Sequence, residues 1–231
     1  MIFILSDLAS GVIQVLTVGL QTIFKKRPNG ERTWIVCFVL IFCLSKGVDS
    51  GDGIISYMFY RVQYSVTNTI FSNLKTLFHV LLFISQIAVV PFLSSVLHCK
   101  DTTILLLAVS SNILAQLIIV FNTKLWVLYF CYILLMLHNT ITTTARSNMS
   151  KLMSSSEIGK AFSVLGILQA LLPMAFKPAF AFLYKLTLDT FPATFKVLTG
   201  CLYFIVLAIT IATNAGLEKV FHRRTWRKCR S

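Results

Sequence analysis

Residues 102–121 read TTILLLAVSSNILAQLIIVF, a run of 20 residues without a charged side chain. An α-helix rises about 1.5 Å per residue, so such a run matches the roughly 30 Å of hydrocarbon in a bilayer. The run therefore predicts a transmembrane helix, and similar runs recur along the chain. We expect six spans, at residues 33–48, 70–97, 102–121, 125–145, 161–184 and 193–215.

The composition of the whole chain agrees with these runs. Of its 231 residues, 56% are hydrophobic and 13% are charged, and the mean hydropathy is +0.79. A soluble domain of this length could not bury so much apolar surface. The sequence therefore predicts an all-α membrane protein, built as a six-transmembrane-helix bundle in contact with a lipid bilayer.

The first predicted span is short, because its uninterrupted apolar stretch stops at Leu44 and Lys46, Asp49 and Asp52 follow. Interrupted apolar segments indicate the working region of a transporter. The alternative is a span whose outer end simply reaches the lipid headgroups. Both interpretations treat residues beyond 48 as lying outside the span.

The segment before this span carries its polar residues on one face. They recur at steps of three and four residues, which predicts an amphipathic helix lying on the membrane rather than crossing it. These residues are Asp7, Ser10, Gln14, Thr17 and Gln21. We therefore divide the chain into an interfacial segment (1–32), a six-helix bundle (33–216) and a basic tail (217–231).

The net charge of +13 indicates orientation rather than nucleic-acid binding, because Lys and Arg lie between the apolar runs and in the tail. Basic residues concentrate in short cytosolic loops of membrane proteins. Their distribution here predicts that both termini face the cytosol of a plasma or lysosomal membrane.

Lys177 is the clearest candidate for a functional residue within a span. It lies between Pro173 and Pro178, which remove backbone donors and are expected to open or bend the helix. Since a charge within lipid costs at least about 2.5 kcal/mol, this lysine needs a partner. It either faces a water-filled cavity and meets an anionic solute, or bonds the carbonyls that the prolines free.

Four further cationic or titratable residues are candidates. Lys75 and His79 share a helical face and could handle protons, although Lys75 could also extend to the membrane surface. His138 lies in the fourth predicted span, whose inner half is unusually polar and leads to Arg146. These polar residues indicate either contacts between helices or a hydrated vestibule. With eight Asp and Glu in the chain, and none recognised inside an apolar run, we expect no enzyme activity. The six cysteines show no metal-binding spacing, so we expect no cofactor or metal.

Several loop motifs resemble those of one transporter family. The most specific is the loop 145–152, ARSNMSKL, which continues through EIGKAFS at 157–163; weaker matches are KKRPN at 25–29 and the stretch from Tyr57 to Tyr64. These residues resemble solute carrier family 46, which includes the proton-coupled folate transporter and belongs to the major facilitator superfamily. The resemblance runs from about Asp7 to Leu217 and covers only the C-terminal half of a member.

This resemblance implies a secondary active transporter of a small organic solute, present as an incomplete half. Lys177 and Arg146 suggest that the solute is anionic, and Arg146 looks like the arginine at the inner end of the tenth helix that members use in proton and substrate handling. Proton coupling stays open, because no His lies between Met1 and Thr69, where the folate transporter has one. The expected partners are the solute, protons, and an N-terminal half or another transporter chain. The alternative is a non-transporting membrane protein that associates with a full-length transporter.

Overall fold

The computed structural model describes residues 14, 17–25, 31–96, 100–188 and 190–228, with side chains described as far as residue 216. Within this part of the chain, six helices are long and apolar enough to cross a membrane. They are α1 (Glu31–Tyr64), α2 (Asn68–Ser95), α3 (Asp101–Phe121), α4 (Leu125–Leu152), α5 (Ser155–Thr187) and α6 (Thr194–Lys228, apolar over Thr194–Gly216). The prediction of an all-α, six-helix membrane bundle is confirmed.

Helix α1 corrects the prediction of a short first span. It continues for 34 residues to Tyr64, a length of about 50 Å. Asp49 and Asp52, which we placed after the span, lie inside this helix. They do not end it, because Ser45, Asp49, Asp52 and Ser56 follow one another at steps of four, three and four residues and so share one face of the helix.

Two helices contain a local change of winding. In α2, residues Ser85–Val89 form a π-turn that ends two residues before Pro91, which has no backbone N–H to donate. In α4, residues Leu135–Leu137 form a 3₁₀ turn directly before His138. By contrast, α5 runs unbroken through both of its prolines, so the opened helix predicted there is not found. A proline removes one hydrogen bond, and a helix of 33 residues can lose two without ending.

A pair of glycines allows α1 to lie against α5. Gly47 and Gly51 are one turn apart, and a Cβ atom added to either would lie 2.6 to 2.7 Å from the ring of Phe176 or Phe180. Small residues at this spacing let membrane helices approach closely. Since the two rings fill the space that side chains would occupy, these glycines determine how closely the two helices pack.

The interior contains two apolar clusters stacked along the helix axes. One is centred on Phe38 and Phe42 of α1, and the other on Phe59 of α1 and Phe195 of α6. Polar and charged side chains lie at the boundary between them. Helices α2 and α5 are the least covered: only 11% and 17% of their most apolar segments are buried, compared with 39 to 56% for the other four.

The ends of the chain are only partly described. Residues 17–24 are helical, whereas most of the predicted amphipathic segment before them lies outside the described residues. At the other end, α6 continues as a helix to Lys228, through most of the predicted tail. The division at residues 32 and 216 stays a prediction.

Candidate functional site

A cavity of about 250 Å³ lies at the boundary between the two apolar clusters. Side chains from α1, α2, α3, α4 and α6 line it, while α5 contributes none of the lining residues found. Its charged and titratable lining residues are Asp49, Asp52, Tyr60, Lys75, His79, Tyr132, His138, Lys196 and Tyr203. Such a concentration of ionisable groups within a membrane bundle marks a candidate site for an ion or solute.

Asp49 is the centre of the first group of contacts. Its Oδ1 lies 2.7 Å from His138 Nε2 and accepts a hydrogen bond from the Tyr203 hydroxyl at 3.0 Å. Lys46 Nζ lies 3.6 Å from the other oxygen, Oδ2. Asp49 is more than about 20 Å from either end of α1, and His138 is in the middle of α4. The contacts of Asp49 with His138 and Tyr203 therefore join α1, α4 and α6 near the middle of the bundle.

His138 is held from its other side by Asn112 of α3. The distance from His138 Nδ1 to Asn112 Oδ1 is 2.7 Å, and the Asn112 amide donates to the Ala108 carbonyl at 2.8 Å. Asn112 is fully buried. The imidazole is thus fixed at both nitrogens, which sets its orientation towards Asp49.

Asp52 forms a second ionic contact one turn further along α1. Lys196 Nζ of α6 lies 2.8 Å from both carboxylate oxygens, and the Lys196 side chain is only 2% exposed. The ammonium also lies 5.4 and 5.6 Å from the ring centroids of Phe195 and Tyr60. Lys196 lies near the start of the predicted span 193–215, yet it pairs with a carboxylate inside the bundle.

Lys75 and His79 of α2 form the more open wall of the cavity. Lys75 Nζ lies 5.6 and 5.9 Å from the ring centroids of Phe71 and Phe78. Among the described residues, no carboxylate lies within ion-pairing distance of Lys75. Lys75 is therefore a cation at the cavity that can pair with a bound anion.

Gln116 Oε1 and Thr199 Oγ1 are among the polar atoms at the cavity that have no hydrogen-bond partner in the described part of the protein. Their residues are 5% and 1% exposed. Buried polar groups cost free energy unless they are hydrogen-bonded. Since both residues line the cavity, water or a polar solute there would satisfy them.

The five residues predicted from the sequence separate into two groups. Lys75, His79 and His138 lie together around the cavity. Arg146 lies elsewhere, donating to Gln169 Oε1 at 2.7 Å with its guanidinium 4.6 Å from the Phe42 ring centroid. Lys177 is exposed on α5, the helix that contributes nothing to the cavity lining. Their roles stay predictions, but the structure does not join them to the other three.

Sequence reasoning missed Asp49, Asp52 and Lys196. The signal was present in α1, where Ser45, Asp49, Asp52 and Ser56 follow a helical period. The continuity of the apolar run, by contrast, predicts the end of the span at this polar face. Among the described residues, no group of three His, Cys, Asp or Glu side chains could hold a metal ion.

Comparison with known proteins points to one family. No protein-family model matches the chain. It is 25% identical to the probable peptidoglycan muropeptide transporter SLC46 of Drosophila melanogaster over 219 residues, which are 94% of this chain and 41% of that protein. It is 30% identical to solute carrier family 46 member 2 of Mus musculus over 108 residues, which are 47% of this chain and 22% of that protein.

The matched region therefore spans less than half the length of either relative. Both relatives are membrane transporters of the solute carrier type by name, and the six apolar helices of this chain form an integral, multi-pass membrane bundle. The similarity that the loop residues predicted is confirmed: the chain matches solute carrier family 46 over part of the length of its members.

Proposed function

We propose that this chain forms one half of a secondary transporter for a small anionic organic solute, and that its cavity is this half's share of the solute site. The observation that carries the proposal is the ring of charged and titratable side chains around a cavity within the helix bundle. In lipid such groups are costly, and they are found where a substrate or ion passes. In the major facilitator arrangement, the site lies at the midplane between two six-helix halves, which agrees with a cavity near mid-depth.

The charges of the cavity favour an anion. Asp52 and Lys196 neutralise each other. Asp49 and His138 are also neutral as a pair while they share one proton. Lys75 then remains as one positive charge without a carboxylate partner among the described residues. A carboxylate or phosphate on the solute would neutralise Lys75, and Thr199 could donate a further hydrogen bond to that group.

The fly relative suggests a first solute to test. It is a probable transporter of peptidoglycan muropeptides. Muropeptides are small and carry carboxylates, which is the chemistry that Lys75 would bind. A folate is a second carboxylate-bearing probe, motivated by the resemblance to the family of the proton-coupled folate transporter.

The low burial of α2 and α5 supports a partner half. These helices present Lys75, His79, Gln169 and Lys177 on surfaces that the rest of the described chain covers little. An opposing bundle would remove these groups from lipid. With six spans, both ends of the bundle would lie on one side of the membrane, and the distribution of basic residues favours the cytosol for that side.

Uptake measurements test the proposal. The chain is co-expressed with the first six spans of a family relative, and entry of a radiolabelled muropeptide or folate is compared with cells that lack either part. We expect saturable uptake, and we expect Lys75→Gln to raise KM at least about tenfold, because a hydrogen-bonded charge contact contributes about 1.5–3 kcal/mol. Lys124→Gln, at an exposed loop position before α4, is the matched control.

The same assay tests the two predicted residues that lie away from the cavity. If Arg146→Ala and Lys177→Ala leave uptake unchanged, the solute contacts only the cavity residues. If neither probe enters under any condition, the transport proposal fails for these solute classes.

A second candidate function is a non-transporting membrane protein that associates with a full-length transporter. The little-buried polar faces of α2 and α5 favour it equally, since a complete transporter could cover them. Affinity purification from membranes distinguishes the two. Recovery of a full-length transporter in a fixed ratio, without uptake in the co-expression assay, supports the second function.

A further inference from the structure

Hydrogen-bond directions around His138 determine how many protons it shares with Asp49. The Asn112 side chain lies 2.8 Å from the Ala108 carbonyl, which can only accept, so the amide nitrogen must face it. Asn112 Oδ1 therefore faces His138 Nδ1, at 2.7 Å. Because this oxygen carries no hydrogen, Nδ1 must be the donor in every state that keeps the contact.

The second ring nitrogen then faces a carboxylate. His138 Nε2 lies 2.7 Å from Asp49 Oδ1. With Nδ1 protonated, an uncharged ring has a lone pair at Nε2, which an ionised carboxylate repels. The contact therefore requires one proton between these two atoms, on Nε2 beside the carboxylate or on Oδ1 beside the uncharged ring. Tyr203 donates to Oδ1 from another direction and does not supply this proton.

We propose that Asp49 and His138 together bind one exchangeable proton, and that its loss breaks the contact between α1 and α4. In this step the N–H bond at Nε2 breaks, the proton passes to a water molecule in the cavity, and the bonding electrons remain on nitrogen. The net charge of the pair changes from zero to minus one. The inference rests on the proposed transport function for its role, which is to make the proton the coupling ion.

The backbone next to His138 is suited to such a movement. The 3₁₀ turn Leu135–Leu137 precedes it directly, in the middle of a helix that is otherwise α-helical. Short 3₁₀ stretches within long helices often mark hinges. Asp49 is one turn from Asp52 on α1, so a shift of α1 away from α4 would also change the wall of the cavity.

Several other charged and titratable groups face the pair, and they determine the consequence for a solute. They are Lys46, Asp52 and Tyr60 of α1, Lys75 and His79 of α2, Tyr132 of α4, and Lys196 and Tyr203 of α6. With His79 uncharged, the groups that line the cavity sum to one positive charge while the proton is bound, and to zero after its release. An anion therefore binds more weakly to the deprotonated cavity, and by linkage the anion strengthens proton binding.

Nitrogen NMR of the purified full chain in lipid nanodiscs tests this proton site without any solute. The chain carries ¹⁵N-histidine, and His138→Gln assigns the His138 signals among the four histidines. At alkaline pH we expect the uncharged His138 ring to hold its proton on Nδ1. In Asn112→Leu, which releases Nδ1, we expect the proton on Nε2, where it bonds the carboxylate.

Hydrogen–deuterium exchange on the same samples reports whether the helices separate. In the wild type, amides around Leu135–Leu137 should exchange faster at alkaline pH than hydroxide catalysis alone predicts. Asn112→Leu should lose this excess. Asp49→Asn should lose it also, because its amide can donate to Nε2 of the uncharged ring. Asn122→Leu is the matched control, since Asn122 donates to the i−4 carbonyl of Ile118 at the end of the same helix.

A wild-type uncharged ring with its proton on Nε2, or an excess of exchange that persists in Asn112→Leu, would overturn the proposal. Neither measurement depends on uptake. If the proton site is found and uptake is absent, the transport proposal fails alone; if uptake is found and the ring does not behave as described, only this inference fails.

Discussion

Removing one partner of the Asp52–Lys196 pair should destabilise the bundle unequally, depending on which charge remains. Asp52→Asn leaves an ammonium that is 2% exposed and lies against two aromatic rings. Lys196→Met leaves a carboxylate that is 19% exposed and borders the cavity, where water and Lys75 can reach it. The remaining charge is therefore buried in the first variant and partly solvated in the second.

The burial of the remaining charge determines how much each substitution should destabilise the bundle. Breaking a buried ion pair by removing one partner costs about 3–5 kcal/mol when the other charge stays buried, and we expect this cost for Asp52→Asn. For Lys196→Met we expect a smaller cost of about 1.5–3 kcal/mol, because it approaches that of one lost hydrogen bond to a charged group. The double variant contains neither charge, so it should be more stable than Asp52→Asn alone.

Reversible unfolding of the purified chain in mixed micelles measures these differences, with denaturing detergent as the variable at fixed pH. Lys151→Met is the control, because Lys151 is 51% exposed where it pairs with Asp101, and exposed pairs contribute at most about 1 kcal/mol. Equal costs for the two single variants, or a double variant that loses the sum of both, would refute the argument from burial.

Two further predictions concern packing and orientation. Gly47→Ala and Gly51→Ala should each destabilise the bundle by about 1–3 kcal/mol through overpacking against the phenylalanine rings, measured by the same unfolding titration. Gly166→Ala, whose added Cβ meets nothing within 4 Å, should be neutral or stabilising by up to about 1 kcal/mol, so a loss as large as the others would contradict the packing argument. For orientation, Ser65→Cys and Ser154→Cys place thiols at exposed positions in loops at opposite ends of the bundle. In intact cells, above the background of native thiols, a membrane-impermeant maleimide should label only the first, and labelling of the second alone would invert the topology.

The six spans could be predicted because each is decided locally, by the length and hydropathy of one segment. Helix α1 shows where this approach fails. Its apolar run is interrupted by Lys46, Asp49 and Asp52, and hydropathy alone cannot distinguish the end of a span from a polar face inside one. The helical spacing of its polar residues makes this distinction, because residues that continue at steps of three and four indicate that the helix continues.

The pairing of charges could not be predicted in the same way. Lys196 and Asp52 are 144 residues apart, and their contact depends on how α6 packs against α1. In the sequence, Lys196 lies at the start of the predicted span 193–215, which is a common place for a basic residue at a membrane surface. Lys75 and His79 can be predicted from the sequence because they lie inside an apolar run, where a charged group needs an explanation.

The ion pairs in the described residues fall into two groups, those at the helix ends and those at the cavity. Pairs at the helix ends, such as Asp101 with Lys151 and Lys25 with Glu157, include one partner that is at least half exposed and contribute little to stability. The pairs of Asp49 and Asp52 lie around the cavity. Buried ion pairs are often no more stabilising than apolar residues of similar volume, so folding alone does not explain their presence in a bundle that has two large apolar clusters. Under the proposed transport function the cavity would attract an anion and exchange a proton, and both roles would require charged side chains at this depth.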